Sequence, residues 1–121
     1  MNSTLAPGRH LHVDIELNPE NRFQYGNRGQ DGRRLVLQRG DAVTFTCSHS
    51  FCIRFATPSP LPETTLHSHQ ESLLHLQEWF ITSQVRDDAP SGEFNYSVEL
   101  AKAGQIFRDE LQMVVVSTEQ G

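Results

Sequence analysis

The run Asp41-Ala-Val-Thr-Phe-Thr-Cys-Ser-His-Ser-Phe-Cys-Ile-Arg-Phe55 reads as two strands joined by a tight polar turn, with a cysteine at each end of that turn. A strand repeats every two residues, so Val43, Phe45 and Cys47 share one face, and so do Ile53 and Phe55. These side chains supply much of the expected core. A hairpin loop of four residues, Ser48-His-Ser-Phe51, would set Cys47 opposite Cys52. Paired strand residues come close enough for a disulfide in some geometries. With two cysteines in the chain, such a pairing would be unambiguous. A reducing cytosol would instead keep two structural thiols, and metal or redox chemistry is the third reading.

Further short strands flank this pair. Arg9 to Leu17 alternates strictly, with Leu11, Val13, Ile15 and Leu17 on one face and His10, His12, Asp14 and Glu16 on the other. Asn18-Pro-Glu-Asn21 ends it. Phe23–Tyr25 and Leu35–Gln38 read as short strands, separated by a Gly26–Gly32 loop. Gly40 is free to take positive φ in the Arg39-Gly-Asp41 turn. Thr57-Pro-Ser-Pro-Leu-Pro62 forbids helix and central strand alike. A short helical turn is expected in the 63–78 region, around Ser72–Gln77, followed by a strand from Glu78 to Val85. Glu93 to Leu100 alternates again, placing Phe94, Tyr96, Val98 and Leu100 inward. Ala101–Glu110 reads as a loop, and the apolar run Leu111–Val116 as a last strand covered on both sides. Seven to eight short strands separated by turns predict an all-β sandwich. At 121 residues the chain reads as a single domain, 1–121. A domain of this size buries roughly two thirds of its unfolded surface and needs no metal or disulfide to fold.

Charge excludes one class of partner. Ten Lys/Arg stand against fifteen Asp/Glu, a formal net charge of −5. Nucleic-acid binding needs clustered positive charge, and Arg33-Arg34 is the one adjacent basic pair. No run approaches the ~18 apolar residues that cross a bilayer, so no membrane partner is expected. Met1–Arg9 has no apolar core of a signal peptide. As written, the chain is expected in the cytoplasm, and in the periplasm if a leader has been trimmed from it.

Four segments carry a family resemblance. Leu35-Val-Leu-Gln-Arg-Gly-Asp-Ala-Val-Thr-Phe-Thr46 resembles the strand, Gly-Asp turn and strand that begin many cupredoxin-like domains. Cys52-Ile-Arg-Phe55 sits where that family places its next strand. Asp87–Val98, with Pro90, Gly92, Phe94 and Tyr96, resembles its entry to the penultimate strand. Asp109-Glu-Leu111 and Met113–Val116 resemble its last strand. The resemblance spans roughly Leu35 to Val116 and implies a Greek-key β-sandwich, although immunoglobulin-like sandwiches share part of the pattern. The family's copper proteins hold the metal with two His, one Cys and a weak axial ligand. Those ligands do not carry over. Phe51 stands where the first His should be, with His49 two residues earlier, and Val98 stands where the Cys should be. Glu99–Arg108 contains neither His, Cys nor Met, and Met113 lies within the last strand. The resemblance therefore implies a fold without a blue-copper site, and a fold alone implies no activity.

The remaining chemistry-bearing residues are sparse. His10 and His12 lie on one exposed strand face, ~7 Å apart by strand rise. His67-Ser-His69 repeats the spacing in a loop. Such pairs can share a transition metal given a third ligand such as His75 or Cys47. No Cys-x-x-Cys or Cys-x-x-His spacing supports a zinc site of the usual kind. Ser48 and Ser50 beside His49 do not make a triad, since neighbours on one turn rarely align a base with a nucleophile. Asp87-Asp88 suits a turn better than an acid/base couple, and no phosphate loop is present. Trp79-Phe80 fits a core, or a partner anchor if exposed.

The sequence thus supports a non-catalytic binding or interaction module with no cofactor, its cupredoxin-like corner filled by Phe51 and Val98. The partner would be a protein or small ligand, met by the Pro58–Glu78 loop with its three His. The alternative is a copper-, zinc- or nickel-binding protein that draws on Cys47, His49, Cys52, His67 and His69.

Overall fold

The computed structural model describes residues 8–26, 33–56, 58–70 and 78–116. Every regular element among them is a strand. In chain order these are β1 (His10–Leu17), β2 (Phe23–Gly26), β3 (Arg34–Gln38), β4 (Ala42–Cys47) and β5 (Phe51–Phe55). There follow β6 (Thr65–His67), β7 (His69–Gln70), β8 (Trp79–Gln84), β9 (Gly92–Lys102) and β10 (Gln105–Val116). They form two sheets of five strands, in the orders β2-β1-β4-β8-β7 and β3-β10-β9-β5-β6. The apolar faces of the two sheets meet as a β-sandwich.

Alternation in the sequence becomes the two walls of the core. Val13 and Ile15 of β1 and Val43, Phe45 and Cys47 of β4 are buried from the first sheet. Leu35, Leu37, Ile53, Val98, Leu100, Met113 and Val115 face them from the second. Tyr96 sits between two phenylalanines, its ring 6.2 Å from Phe45 and 5.2 Å from Phe55. Two strand pairs are parallel: β1 with β4, matching Val13 to Phe45 and Ile15 to Cys47, and β3 with β10, matching Leu35 to Met113. The other pairs are antiparallel.

The Gly-Asp turn behaves as its composition dictates. Asp41 N–H donates to Gln38 C=O (3.0 Å), and Gly40 takes φ 88°, the left-handed position of a type II turn. The buried Asp41 carboxylate accepts from Gln38 N–H (2.9 Å), from Arg9 N–H (2.9 Å) and from the Arg9 guanidinium (2.7 Å). Beyond β5, Ser59 and Leu61 are buried, and Pro60 C=O accepts from Arg86 N–H (2.8 Å). The proline run is thereby tied to the segment that follows β8. A third tie joins the two sheets: Tyr25 of β2 donates to Asp109 of β10 (2.8 Å), which also receives Arg33 (2.6 Å).

Three expectations need correction. Asp41–Phe55 is not a hairpin, because β4 lies in the first sheet and β5 in the second. The Ser48–Ser50 turn crosses between sheets, so the two inward faces look at each other across the core. Ala101–Glu110 is not a loop. It is the tip of the long β9–β10 hairpin, with Lys102 paired to Gln105. Ala103 (φ 52°) and Gly104 (φ 77°) make a two-residue turn with positive φ at both positions, the geometry that matches strand twist. Ten strands replace the expected seven to eight, the additions being β6 and β7, of three and two residues. Residues 63–70 hold these strands and no helix, while the Ser72–Gln77 helical turn falls outside the described residues, as does His75. The strand expected at Glu78–Val85 is present as Trp79–Gln84.

Candidate functional site

The crossing turn, the β6–β7 junction and the β9–β10 hairpin meet at one end of the sandwich. A cleft of about 270 Å³ lies between them. Its apolar lining comes from Phe51, Trp79, Ala101 and Ile106. Trp79 is half-buried and packs on the core, whereas Ile106 is 67% exposed, the one large apolar side chain so exposed among the described residues. Its polar lining comes from Ser50, Ser68, Cys52, His67 and Glu99. Hydrogen bonds fix the walls: Ser68 N–H donates to Phe51 C=O (3.0 Å), Phe51 N–H to the Ser68 side-chain Oγ (3.0 Å), and Ala101 N–H to Ser50 C=O (3.0 Å).

Register decides which polar groups share the cleft. Cys52 stands opposite His67 on β6 and opposite Glu99 on β9. The three make one row across the outer face of the second sheet, where direct neighbours have Cβ atoms roughly 4.5–5.5 Å apart. Cys52 Sγ donates to Glu99 Oε1 at 3.6 Å, and Arg54 lies 3.5 Å from the same carboxylate. Burial pushes the Cys52 thiol pKa up, Glu99 adds to that, and Arg54 opposes it. The thiol is therefore protonated at rest and a poor nucleophile.

The other sequence candidates scatter. Cys47 is buried, and both cysteines are free. Burial raises the Cys47 thiol pKa, nearby Glu16 and Glu78 raise it further, and backbone N–H groups of His49 and Ser48 oppose the rise. His49 is half-buried on the crossing turn, where Nδ1 meets Ser48 Oγ at 3.1 Å. His67 and His69 belong to different sheets, so their shared spacing does not put them on one face. Phe80 points away from Trp79 and meets the His69 ring at 6.2 Å. Phe51 faces Leu100, and Val98 faces Ile53 two residues deeper in the sheet. Among the described residues no three His, Cys, Asp or Glu side chains are gathered as a metal-holding group.

Across the molecule, β1, β4 and β8 carry a hydroxyl–imidazole face. His10 Nε2 meets Thr44 Oγ1 at 2.7 Å, and Thr44 meets Thr82 at 2.9 Å. Thr46 donates to Asp14, which lies 3.3 Å from His12 Nε2. A depression of about 380 Å³ opens beside it, with Asp14, Glu16 and Glu78 at its rim. His10, Thr44 and Thr82, and likewise Thr46 and Asp14, bond one another across neighbouring strands.

Sequence reasoning missed Glu99 and Ile106 because it assigned both cleft walls to other contexts. The available signal was the adjacent apolar pair Ile106-Phe107 just past Gly104, of which strand alternation turns only one toward the core.

No protein-family model matches the chain, and no curated protein matches it. Among solved structures, an endo-fucoidan hydrolase from glycoside hydrolase family 107 is similar with a TM-score of 0.42 and 17% identity. That similarity covers 78% of this chain and 15% of the hydrolase, so the chain spans a small part of that protein's length.

Proposed function

We propose that this protein is a non-catalytic binding module on a cupredoxin-like Greek-key sandwich without a blue-copper site, and that it binds its partner in the cleft beside Trp79. The strand pairing supports the fold reading. A first strand runs parallel to β4, a third runs parallel to the last, and the chain crosses between sheets at Ser48–Ser50. The apolar corner supports the absence of copper, since Phe51 and Leu100 face each other where soft ligands would have to converge.

One observation carries the functional reading: Ile106, 67% exposed, and the half-buried Trp79 line one cleft together with Ser50, Cys52, His67, Ser68 and Glu99. An exposed apolar side chain next to an indole, above a few placed polar groups, is the composition of a recognition site. The polar groups favour binding over catalysis, because the Cys52 thiol is already bonded to Glu99 and held protonated. A small, polar-tipped apolar ligand or a peptide side chain fits a space of about 270 Å³.

Trp79 is the single tryptophan, so its emission reports on the cleft. A fragment collection screened by that emission should yield ligands that shift it, with binding weakened about tenfold or more by Ile106→Ser. Ligands that bind Ile106→Ser as well as the parent chain would refute the reading.

A further inference from the structure

We propose that the open edge of β10, at Ile106 and Arg108, takes up an extended peptide as a further strand, with an apolar side chain across from Ile106 and a carboxylate across from Arg108. The edge is open because β3 is short. β10 runs from Gln105 to Val116, but β3 pairs with it only from Gln112 onward. The two-residue turn makes Lys102 and Gln105 a hydrogen-bonded pair, so alternation directs the backbone groups of Gln105, Phe107, Asp109 and Leu111 to β9. Those of Ile106, Arg108 and Glu110 point away from β9. Gln112 has the same parity, and its N–H donates to Arg33 C=O on that side (3.0 Å). Glu110 is already capped: its N–H donates to the Asp109 carboxylate (2.9 Å) and its C=O accepts from Arg33 (3.5 Å). Ile106 and Arg108 have no backbone partner on this edge among the described residues, and each offers one N–H and one C=O. Edges that avoid pairing carry charges, prolines or bulges; this one presents Ile106, 67% exposed.

The side chains define what the added strand must carry. Ile106 and Arg108 lie on the outer face of the second sheet, and Phe107 between them is half-buried against the core. Glu99 stands opposite Arg108 on β9 but lies 3.5 Å from Arg54, while the Arg108 guanidinium rests 3.4 Å from Glu110 on its own strand. Both members of that pair are exposed, so it is weak and gives way to a better-placed carboxylate. An antiparallel strand therefore presents a carboxylate opposite Arg108, an apolar residue opposite Phe107 and a second opposite Ile106. A single strand suits this place better than a second copy of the chain. β2 of the first sheet flanks the same side, with Tyr25 donating to Asp109 of β10 (2.8 Å). A lone strand turns its inward side chain toward Phe107 and Tyr25, whereas a second copy would bring its own β2 against this one.

The probe is a capped heptapeptide, Ser-Thr-Glu-Val-Leu-Thr-Ser, titrated into the full chain and followed by amide NMR. The expected result is saturable shifts of the Ile106 and Arg108 amides, with their hydrogen exchange slowed about tenfold or more at saturation. Arg108→Pro removes an outward donor and leaves the β9 ladder intact, since edge positions admit proline; it should abolish the shift at Ile106. Arg108→Glu should weaken the peptide roughly three- to tenfold, and a peptide with Lys in place of Glu should recover that loss. No saturable shift at about 1 mM peptide, shifts that persist in Arg108→Pro, or an Arg108→Glu chain indifferent to peptide charge would overturn the proposal. A self-association of the chain alone that Arg108→Pro abolishes would assign the edge to a second copy and overturn it as well. The edge and the cleft share Ile106 but are judged apart, because a fragment selected on Trp79 emission should bind Arg108→Pro as it binds the parent chain.

Discussion

Cys47 and Cys52, five positions apart in sequence, point to opposite sides of the sandwich wall: Cys47 inward from β4, Cys52 outward from β5 beside Glu99. No rotamer change brings them together, because the backbone crosses from one sheet to the other between them. The native chain should show one thiol reactive toward an aromatic disulfide reagent, slow near neutrality and faster with rising pH, because burial raises the Cys52 pKa. Cys52→Ser should remove that reaction, and denaturation should expose the second thiol. Equal native rates for both thiols would contradict the crossing.

Asp41 ties the first residues of the described chain to the Gly-Asp turn through Arg9 and Gln38. Burial alone would raise its pKa, but the bonds from Arg9 and the backbone win and hold it below 3.8. A lowered folded pKa means stability that is present above the ordinary carboxylate value and lost as pH falls below it. Asp41→Ala should cost about 2–3 kcal/mol at neutral pH, the range for losing bonds to a charged acceptor. Asp41→Asn should flatten the acid limb of the stability curve, as measured by urea unfolding at several pH values.

Tyr96 has the opposite character. Its hydroxyl is buried without a hydrogen-bond partner among the described residues, and burial pushes its pKa well above the ordinary value. An unpaired buried hydroxyl costs roughly 1–3 kcal/mol. Tyr96→Phe keeps the ring between Phe45 and Phe55 and should stabilise the chain by about 1 kcal/mol in thermal or urea unfolding.

The β9–β10 turn carries strain at one position. Ala103 holds φ 52°, which costs an L-residue roughly 1–2 kcal/mol, against roughly 0.5–1 kcal/mol of entropy for glycine. Ala103→Gly should therefore stabilise by about 0.5 kcal/mol, and Gly104→Ala should destabilise by about 1 kcal/mol. Equal effects of the two changes would rule out the turn geometry.

Much of this sandwich was legible in the chain because alternation states which side chains are buried. Val13, Ile15, Phe45, Ile53, Tyr96 and Val98 all face inward as their spacing requires. Pairing partners were less legible. Alternation is identical for a hairpin and for a crossing between sheets, so β4 and β5 were joined wrongly. Parity held the correction: if Cys47 and Cys52 faced each other, Ile53 and Phe55 would point to solvent. The Ala103-Gly104 turn escaped notice because such turns favour Asn or Asp first, not Ala. The cleft was legible only in part. Cys52 and His67 stood out by residue type, but their opposition, and Glu99 beside them, depend on a register across three strands that no local pattern encodes.

The measurement that bears most directly on the cleft is amide chemical-shift mapping with a ligand selected on Trp79 emission. Shifts should concentrate at Ser50–Cys52, His67–Ser68, Trp79, Glu99–Ala101 and Ile106, the residues that surround the cleft. Shifts centred instead on His10, His12, Thr44 and Thr82 would place recognition on the opposite sheet and contradict the account.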